Sequence, residues 1–321
     1  MTTHLELEVG TWPVESFLAQ REAEGAVINF GSSVGHIPAR AAALSGVAIP
    51  YSVANDACCM VETKQMSHPD HKRKATPAEL KKLMAMLGEG LDQGGVGIGA
   101  GIVYTPGADH KETYELVKTV AKHGVSLFVH IRGRGPVGIE DFHEMLANAA
   151  TTGASVHICH SLSSARGAGP SGVKDIWEMV SKINQQGIDV SLEQYPYPYG
   201  MTNIRTEQSA VWNPAQLLRQ VRRADNGEII TGPAAAKAGR TVDGSPTEIE
   251  GEVLVGGWQM LETGEFLTEE SYNKHYAVGG LAYGHWSDTE TSCLDDTMAH
   301  PLGQSVGSSS LSLPLAAVPL C

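Results

Sequence analysis

From Ala75 to Gly200 the chain alternates amphipathic helix patterns with short apolar runs, one pair about every 30 residues. ATPAELKKLMAMLGEGL opens with Thr76 as an N-cap and Pro77 in the first helical position. Its Leu80, Leu83, Met84, Leu87 and Leu91 form one apolar stripe. The Gly-rich run GGVGIGAGIVY follows as a strand. ADHKETYELVKTVAKHG predicts a second helix, burying Tyr114, Val117, Val120 and Ala121 and closed by Gly124. VSLFVH reads as the next strand. A helix over 139–152 turns Phe142, Met145, Leu146 and Ala149 inward, and ASVHICH is again a strand. SGVKDIWEMVSKINQQG then carries Val173, Ile176, Trp177, Val180 and Ile183 on one face, before the strand and loop IDVSLEQYPYPYG.

Apolar strands separated by amphipathic helices imply parallel pairing with right-handed crossovers. The pattern allows a (β/α)8 barrel or an open doubly wound sheet. An open dinucleotide-binding sheet calls for GxGxxG after its first strand, and that context is absent. Polar residues gather instead at strand C-terminal ends: His130 and Arg132, His160, Glu193 and Gln194. In a barrel that is the catalytic face.

An earlier unit is legible in GAVINFGSSVGHIPAR, as a strand ending near Phe30 and a Gly/Ser loop holding His36. The domain reading is barrel units over 1–204, a long polar loop or insertion over 205–250, and remaining, degenerate or truncated barrel units over 251–321. The chain has 321 residues and a formal net charge of −13. That acidic balance argues against a nucleic-acid partner, which needs a clustered positive surface. The one basic run, HKRK at His71–Lys74, reads as a solvated patch. Five irregularly spaced Cys, with Cys58 and Cys59 adjacent, form neither a disulfide framework nor a zinc knuckle. No signal peptide or membrane span is visible, so the expectation is a soluble, cytoplasmic protein.

His130 and His160 lie 30 residues apart, one βα unit. Neighbouring barrel strands would bring both imidazoles to one mouth, and neutral imidazole on a rigid strand end suits zinc. Hydrogen-bonded structural histidines are the competing reading. Strand alternation puts His157 on the opposite face from His160 and turns Cys159 into the helix layer. Glu193 reads as an acid, base or ligand, or as a carboxylate paired with Arg132 or a nearby loop. Tyr195, Tyr197 and Tyr199 make a Pro-stiffened loop fit either to wall a pocket or simply to pack.

The segments INFGSSVGHIPAR, GGVGIGAGIVYTPGA, FVHIRGRG, ASVHICHSLSSA and GIDVSLEQYPYPYG, in that order over about residues 26–202, resemble the N-acyl-D-amino-acid deacylases (D-aminoacylases and N-acyl-D-glutamate deacylases) of the amidohydrolase superfamily. The resemblance implies an α/β fold: a metal-dependent TIM-like barrel, here without its first strands and its C-terminal end. It implies hydrolysis of a linear amide in a small-molecule N-acyl-D-amino acid, with Zn2+ as cofactor. His130 and His160 match metal ligands; Arg132 and Tyr195 match substrate-side positions. The family's His-x-His and Asn-Cys-Gly segments have no counterpart near the N-terminus. In AHPLGQSVGSSSL the position of the catalytic Asp holds Ser309, and Leu162 stands where the family has Lys or Asn. Two readings follow: an active deacylase-type hydrolase, or an inactive relative or fragment that binds metal or a completing chain.

Overall fold

The computed structural model describes residues 2–46, 68–132, 139–161 and 169–194, with shorter segments at 199–203, 222–223, 229–230, 248–249, 252–261, 263–278, 281–285 and 303–305. Two compact units are present, Met1–Pro196 with Asp295–Cys321, and Tyr197–Leu294.

The first unit runs β1 (Thr3–Thr11), α1 (Val14–Glu24), β2 (Asn29–Gly35), α2 (His36–Ser45), α3 (Pro77–Asp92), β3 (Gly97–Gly101), α4 (His110–His123), β4 (Ser126–His130), α5 (Ile139–Thr152), β5 (Ser155–Ile158), α6 (Gly169–Gln185) and β6 (Val190–Gln194). The second holds β7 (Tyr199–Asn203), β8 (Arg222–Arg223), β9 (Ile229–Ile230), β10 (Glu248–Ile249), β11 (Glu252–Met260), β12 (Phe266–Thr268), α7 (Glu269–Val278) and β13 (Leu281–His285); β14 (Gly303–Ser305) returns to the first. In the second unit β10, β11, β13 and β7 form an antiparallel path, with β12 on β11 and β8 paired to β9.

In the first unit the strands lie in the order β1-β2-β3-β4-β5-β6-β14, and every neighbouring pair is parallel. Sequential order with helical crossovers is the winding of a barrel, whereas a doubly wound sheet reverses direction at a switch point. The seven-stranded sheet is thus consistent with a partial barrel of this kind, and the described residues do not close an eight-stranded ring.

Register divides each strand into two rows. Val34, Ile98, Leu127, Val129, Val156, Ile158, Val190 and Leu192 are buried beneath the helices. A Cβ added to Gly90 of α3 would strike Val34, which identifies this row as the helix side. The opposite row reads Gly97, Gly99 and Gly101 on β3, Ser126, Phe128 and His130 on β4, Ser155 and His157 on β5, and Ser191 and Glu193 on β6.

Helices form where caps and stripes agree. Thr76 and Glu79 make a reciprocal capping box on α3, and Leu80, Leu83 and Leu87 are buried. On α5, Phe142, Met145, Leu146 and Ala149 are buried, as their spacing predicts. The buried face of α4 is Glu112, Thr113, Leu116, Val117 and Val120. The expected Tyr114 is rotated outward instead, with Lys118 Nζ 5.5 Å from its ring centroid.

Three further expectations change. Residues 29–35 are strand throughout, so the Gly/Ser segment is no loop and His36 opens α2. The N-terminal residues form β1, which pairs with β2. Within HKRK only Lys72 and Lys74 are exposed; His71 is buried, and Arg73 bonds Asp70 and Glu79.

Candidate metal centre

β1 begins in register with β2, pairing Leu5 with Gly31 and Glu6 with Ser32. The next aligned pair is Thr11 with Val34, so β1 inserts extra residues between Glu6 and Thr11. This bulge contains Glu8 and Gly10, whose φ of +66° a side chain would disfavour. The bulge lies over the strand row that has no side chains. A Cβ on Gly99 would sit 2.4 Å from the Leu7 carbonyl and 2.9 Å from that of Glu8. Ser33 Oγ fastens the bulge by donating to the Leu7 carbonyl at 2.6 Å. The glycines of GIGAG thus admit the segment that carries Glu8.

His130 is the last residue of β4, with Tyr104 packed edge-on at 5.3 Å. His160 lies two residues beyond β5 and adopts a φ of 31°, among the described residues the only positive value outside glycine. Strict alternation would aim residue 160 at the helices. The left-handed turn swings it to the opposite side, where its ring meets that of His130 at 4.3 Å and 85°. His160 Nε2 is 2.9 Å from Glu8 Oε1. In a flat sheet β1 and β5 would be about 19 Å apart, four strand spacings. Contact between Glu8 and His160 therefore requires the sheet to curl as a barrel wall does.

Glu8, His130 and His160 are all buried, and their ligand atoms lie within 4.8 Å of one another. Burial pushes the His160 pKa down, but the charge and hydrogen bond of Glu8, helped by Glu193, outweigh it and the net shift is upward. Two imidazoles and one carboxylate are a donor set suited to zinc and similar divalent ions. Among the described residues the cluster supplies three ligand atoms.

A second cluster adjoins the first. His157, Cys159 and Glu193 also place their ligand atoms within 4.8 Å of one another. The expectation that Cys159 faces the helices and that His157 opposes His160 is thus reversed. Residues 157 and 159 share the row of Phe128 and Ser191, and the turn at His160 brings that side chain round to them. Burial, reinforced by Glu193, Glu8 and Glu6, raises the Cys159 thiol well above its ordinary range. Glu193 joins the clusters: its Oε1 accepts the His160 backbone N–H at 3.3 Å, and its Oε2 is 3.2 Å from His157 Nε2. It is not paired with Arg132.

Arg132 is buried between α4 and α5. It donates to Glu144 at 2.7 and 3.2 Å, to Thr113 Oγ1 at 2.5 Å and to the Ala108 carbonyl. Burial works against the Glu144 carboxylate, but Arg132 and His110 hold its pKa below the usual value. The guanidinium thus joins strand end to helices in this structure. Tyr195, Leu162, Cys58, Cys59 and Ser309 lie outside the described residues. Glu8 is the candidate ligand that sequence reasoning missed. The alternation of Leu5, Leu7 and Val9 in HLELEVG signals a strand but aims Glu8 at solvent, whereas Leu5 is exposed and Glu8 buried.

A curved parallel sheet with a buried His/His/Glu cluster at its strand ends has the architecture of a partial amidohydrolase-type barrel. Comparisons with known proteins agree with that class. The N-acyl-D-glutamate deacylase of Alcaligenes xylosoxydans xylosoxydans is 26% identical over 190 residues, 59% of this chain and 34% of that protein. The D-aminoacylase of the same organism is 25% identical over 160 residues, 48% of this chain and 33% of that protein. Among solved structures, N-acyl-D-glutamate deacylase from Bordetella bronchiseptica, complexed with zinc and a phosphonate inhibitor, superposes with a TM-score of 0.55 at 18% identity, covering 91% of this chain and 51% of that one. A D-aminoacylase structure gives 0.56 at 17% identity, covering 91% and 50%. No protein-family profile matches the sequence. The chain is thus distantly related to the N-acyl-D-amino-acid deacylases, and it spans about a third of the curated relatives and half of the solved ones.

Proposed function

We propose that the chain is a metal-dependent hydrolase of the N-acyl-D-amino-acid deacylase type, cleaving a linear amide to a carboxylate and a free D-amino acid. The observation that carries this reading is the buried meeting of Glu8, His130 and His160, drawn from three separate parts of the sheet. These residues would hold a divalent cation, zinc by analogy with the solved relative. Such an ion supplies Lewis acidity toward an amide carbonyl and lowers the pKa of water.

The chain's own residues provide the rest. Glu8 orients the His160 ring through Nε2 in this structure; with a cation bound, it would be one of its ligands and its charge would offset the cation's. Tyr104 packs against His130 and restricts that ring. The curl of the sheet keeps the cluster out of bulk water, which strengthens any charge interaction there.

Ser309 at the position of the family's catalytic Asp favours a second reading, a metal-binding relative without turnover. A serine hydroxyl is no general base at neutral pH without an activating partner. Metal analysis of the purified protein, with hydrolysis assays on N-acetyl-D- and N-acetyl-L-amino acids, separates the two. Stoichiometric zinc with turnover of the D series alone supports the hydrolase. Zinc that is lost in His130→Ala, without turnover in either form, supports the relative. Protein that takes up no metal overturns both.

A further inference from the structure

We infer that His157, Cys159 and Glu193 form a second cation site, for a borderline-soft divalent ion such as Zn2+ or Co2+, distinct from the Glu8/His130/His160 cluster. Geometry carries the inference. The three side chains come from β5, the turn after it and β6, and their sulfur, nitrogen and oxygen donors lie within 4.8 Å of one another. Thiolate, imidazole and carboxylate are the ligand types that zinc accepts, and a set including sulfur discriminates against Mg2+ and Ca2+.

The surroundings orient two of the three donors. His157 Nδ1 is 2.7 Å from Ser191 Oγ, leaving Nε2 facing Glu193 Oε2 at 3.2 Å. A cation between Nε2 and the carboxylate would take the place of that contact. The Ser191 hydroxyl donates or accepts, so it stays bonded to Nδ1 in either state and orients the ring as outer partners of metal ligands do. Phe128 packs against the same ring edge-to-face at 5.7 Å. The Glu193 carboxylate is fixed at its other oxygen by the His160 backbone N–H. No donor in this set belongs to the first cluster, so binding here does not depend on the proposed activity.

The test is Co2+ titration of the purified, chelator-treated full chain, followed in the near-ultraviolet, where a thiolate bound to Co2+ gives a charge-transfer absorption. Wild type is expected to bind two equivalents and to show the absorption. Cys159→Ser should lose the absorption and one equivalent, with far-ultraviolet circular dichroism unchanged. His130→Ala should lose one equivalent and keep the absorption. His157→Gln, which retains a bond to Ser191, should weaken the absorbing phase about tenfold or more and serves if Cys159→Ser does not fold. Folded wild type without the absorption at saturating Co2+ overturns the site. So does an absorption that survives Cys159→Ser, which would place the thiolate ligand at another cysteine. Failure at the Glu8 cluster alone would instead show as an absorbing single equivalent that His130→Ala does not change.

Discussion

Arg40 is fully buried, and all three of its guanidinium nitrogens donate. It donates to Glu112 at 2.8 and 3.3 Å, to the Asp70 carbonyl at 2.7 Å and to the Arg73 carbonyl at 2.8 Å. Glu112 also receives His36 Nε2 at 2.8 Å, so one carboxylate ties α2 to α4. Removing one partner of such a group leaves a desolvated charge and two orphaned carbonyls. Arg40→Met should therefore lower unfolding free energy by about 3–5 kcal/mol, read from urea denaturation. The same cluster sets a pH response. Burial drives the His36 pKa below its usual value despite the pull of Glu112, while burial opposes but His36 and Arg40 together depress that of Glu112. In both cases the unfolded chain takes up protons that the fold refuses, so stability is present at neutral pH and falls on acidification. The loss due to His36 begins as pH drops through the ordinary histidine range, and that of Glu112 follows in the carboxylate range. His36→Asn should remove the first limb of the urea-midpoint profile and shrink the second, which Arg40 alone then sustains.

At the scale of elements, the bulge of β1 and the glycine row of β3 fit as one device. Gly99 offers no side chain, and the Leu7 and Glu8 carbonyls occupy the room this leaves. Gly99→Ala would push the bulge off β3, costing about 1–3 kcal/mol as overpacking. It should also move Glu8 away from His160, so metal affinity should fall more than that of a stability-matched variant elsewhere, for example in α1. Equal losses in both would sink the link between Gly99 and Glu8. This dependence explains what was legible beforehand. Thr76, Pro77 and the Leu stripe of α3 encode their helix locally, as do Gly124 for α4 and the Phe142 stripe for α5. His130 and His160 were visible because strand ends repeat with the βα period. Glu8 was not, because its role rests on a bulge and a curl that join residues 152 positions apart. The faces of His157 and Cys159 were misread for a related reason. Alternation describes a strand, and the left-handed residue at 160 ends its authority.

For the whole first unit, the position of the Glu8/His130/His160 cluster has a thermodynamic consequence. Its members come from β1, the end of β4 and the turn after β5, so the cluster spans most of the curved sheet. Bringing them together in the unfolded chain would require closing loops of more than a hundred residues, and the entropy of that closure keeps the unfolded state a poor ligand. A cation that binds only the fold stabilises it by mass action, by about 2.7 kcal/mol at a free concentration one hundred times its Kd. Thermal unfolding of the first unit should therefore shift upward with Zn2+ and return with chelator. Glu8→Ala should abolish most of the shift, although Glu8 is far in sequence from both histidines. The comparison must be made against Cys159→Ser, since an ion at His157, Cys159 and Glu193 joins only β5, its following turn and β6. That ion closes a shorter loop and leaves β1 free to separate. If the zinc-dependent shift persisted in Glu8→Ala and vanished in Cys159→Ser, the stabilising ion would lie between β5 and β6, and the curl of the sheet would owe nothing to metal at its strand ends.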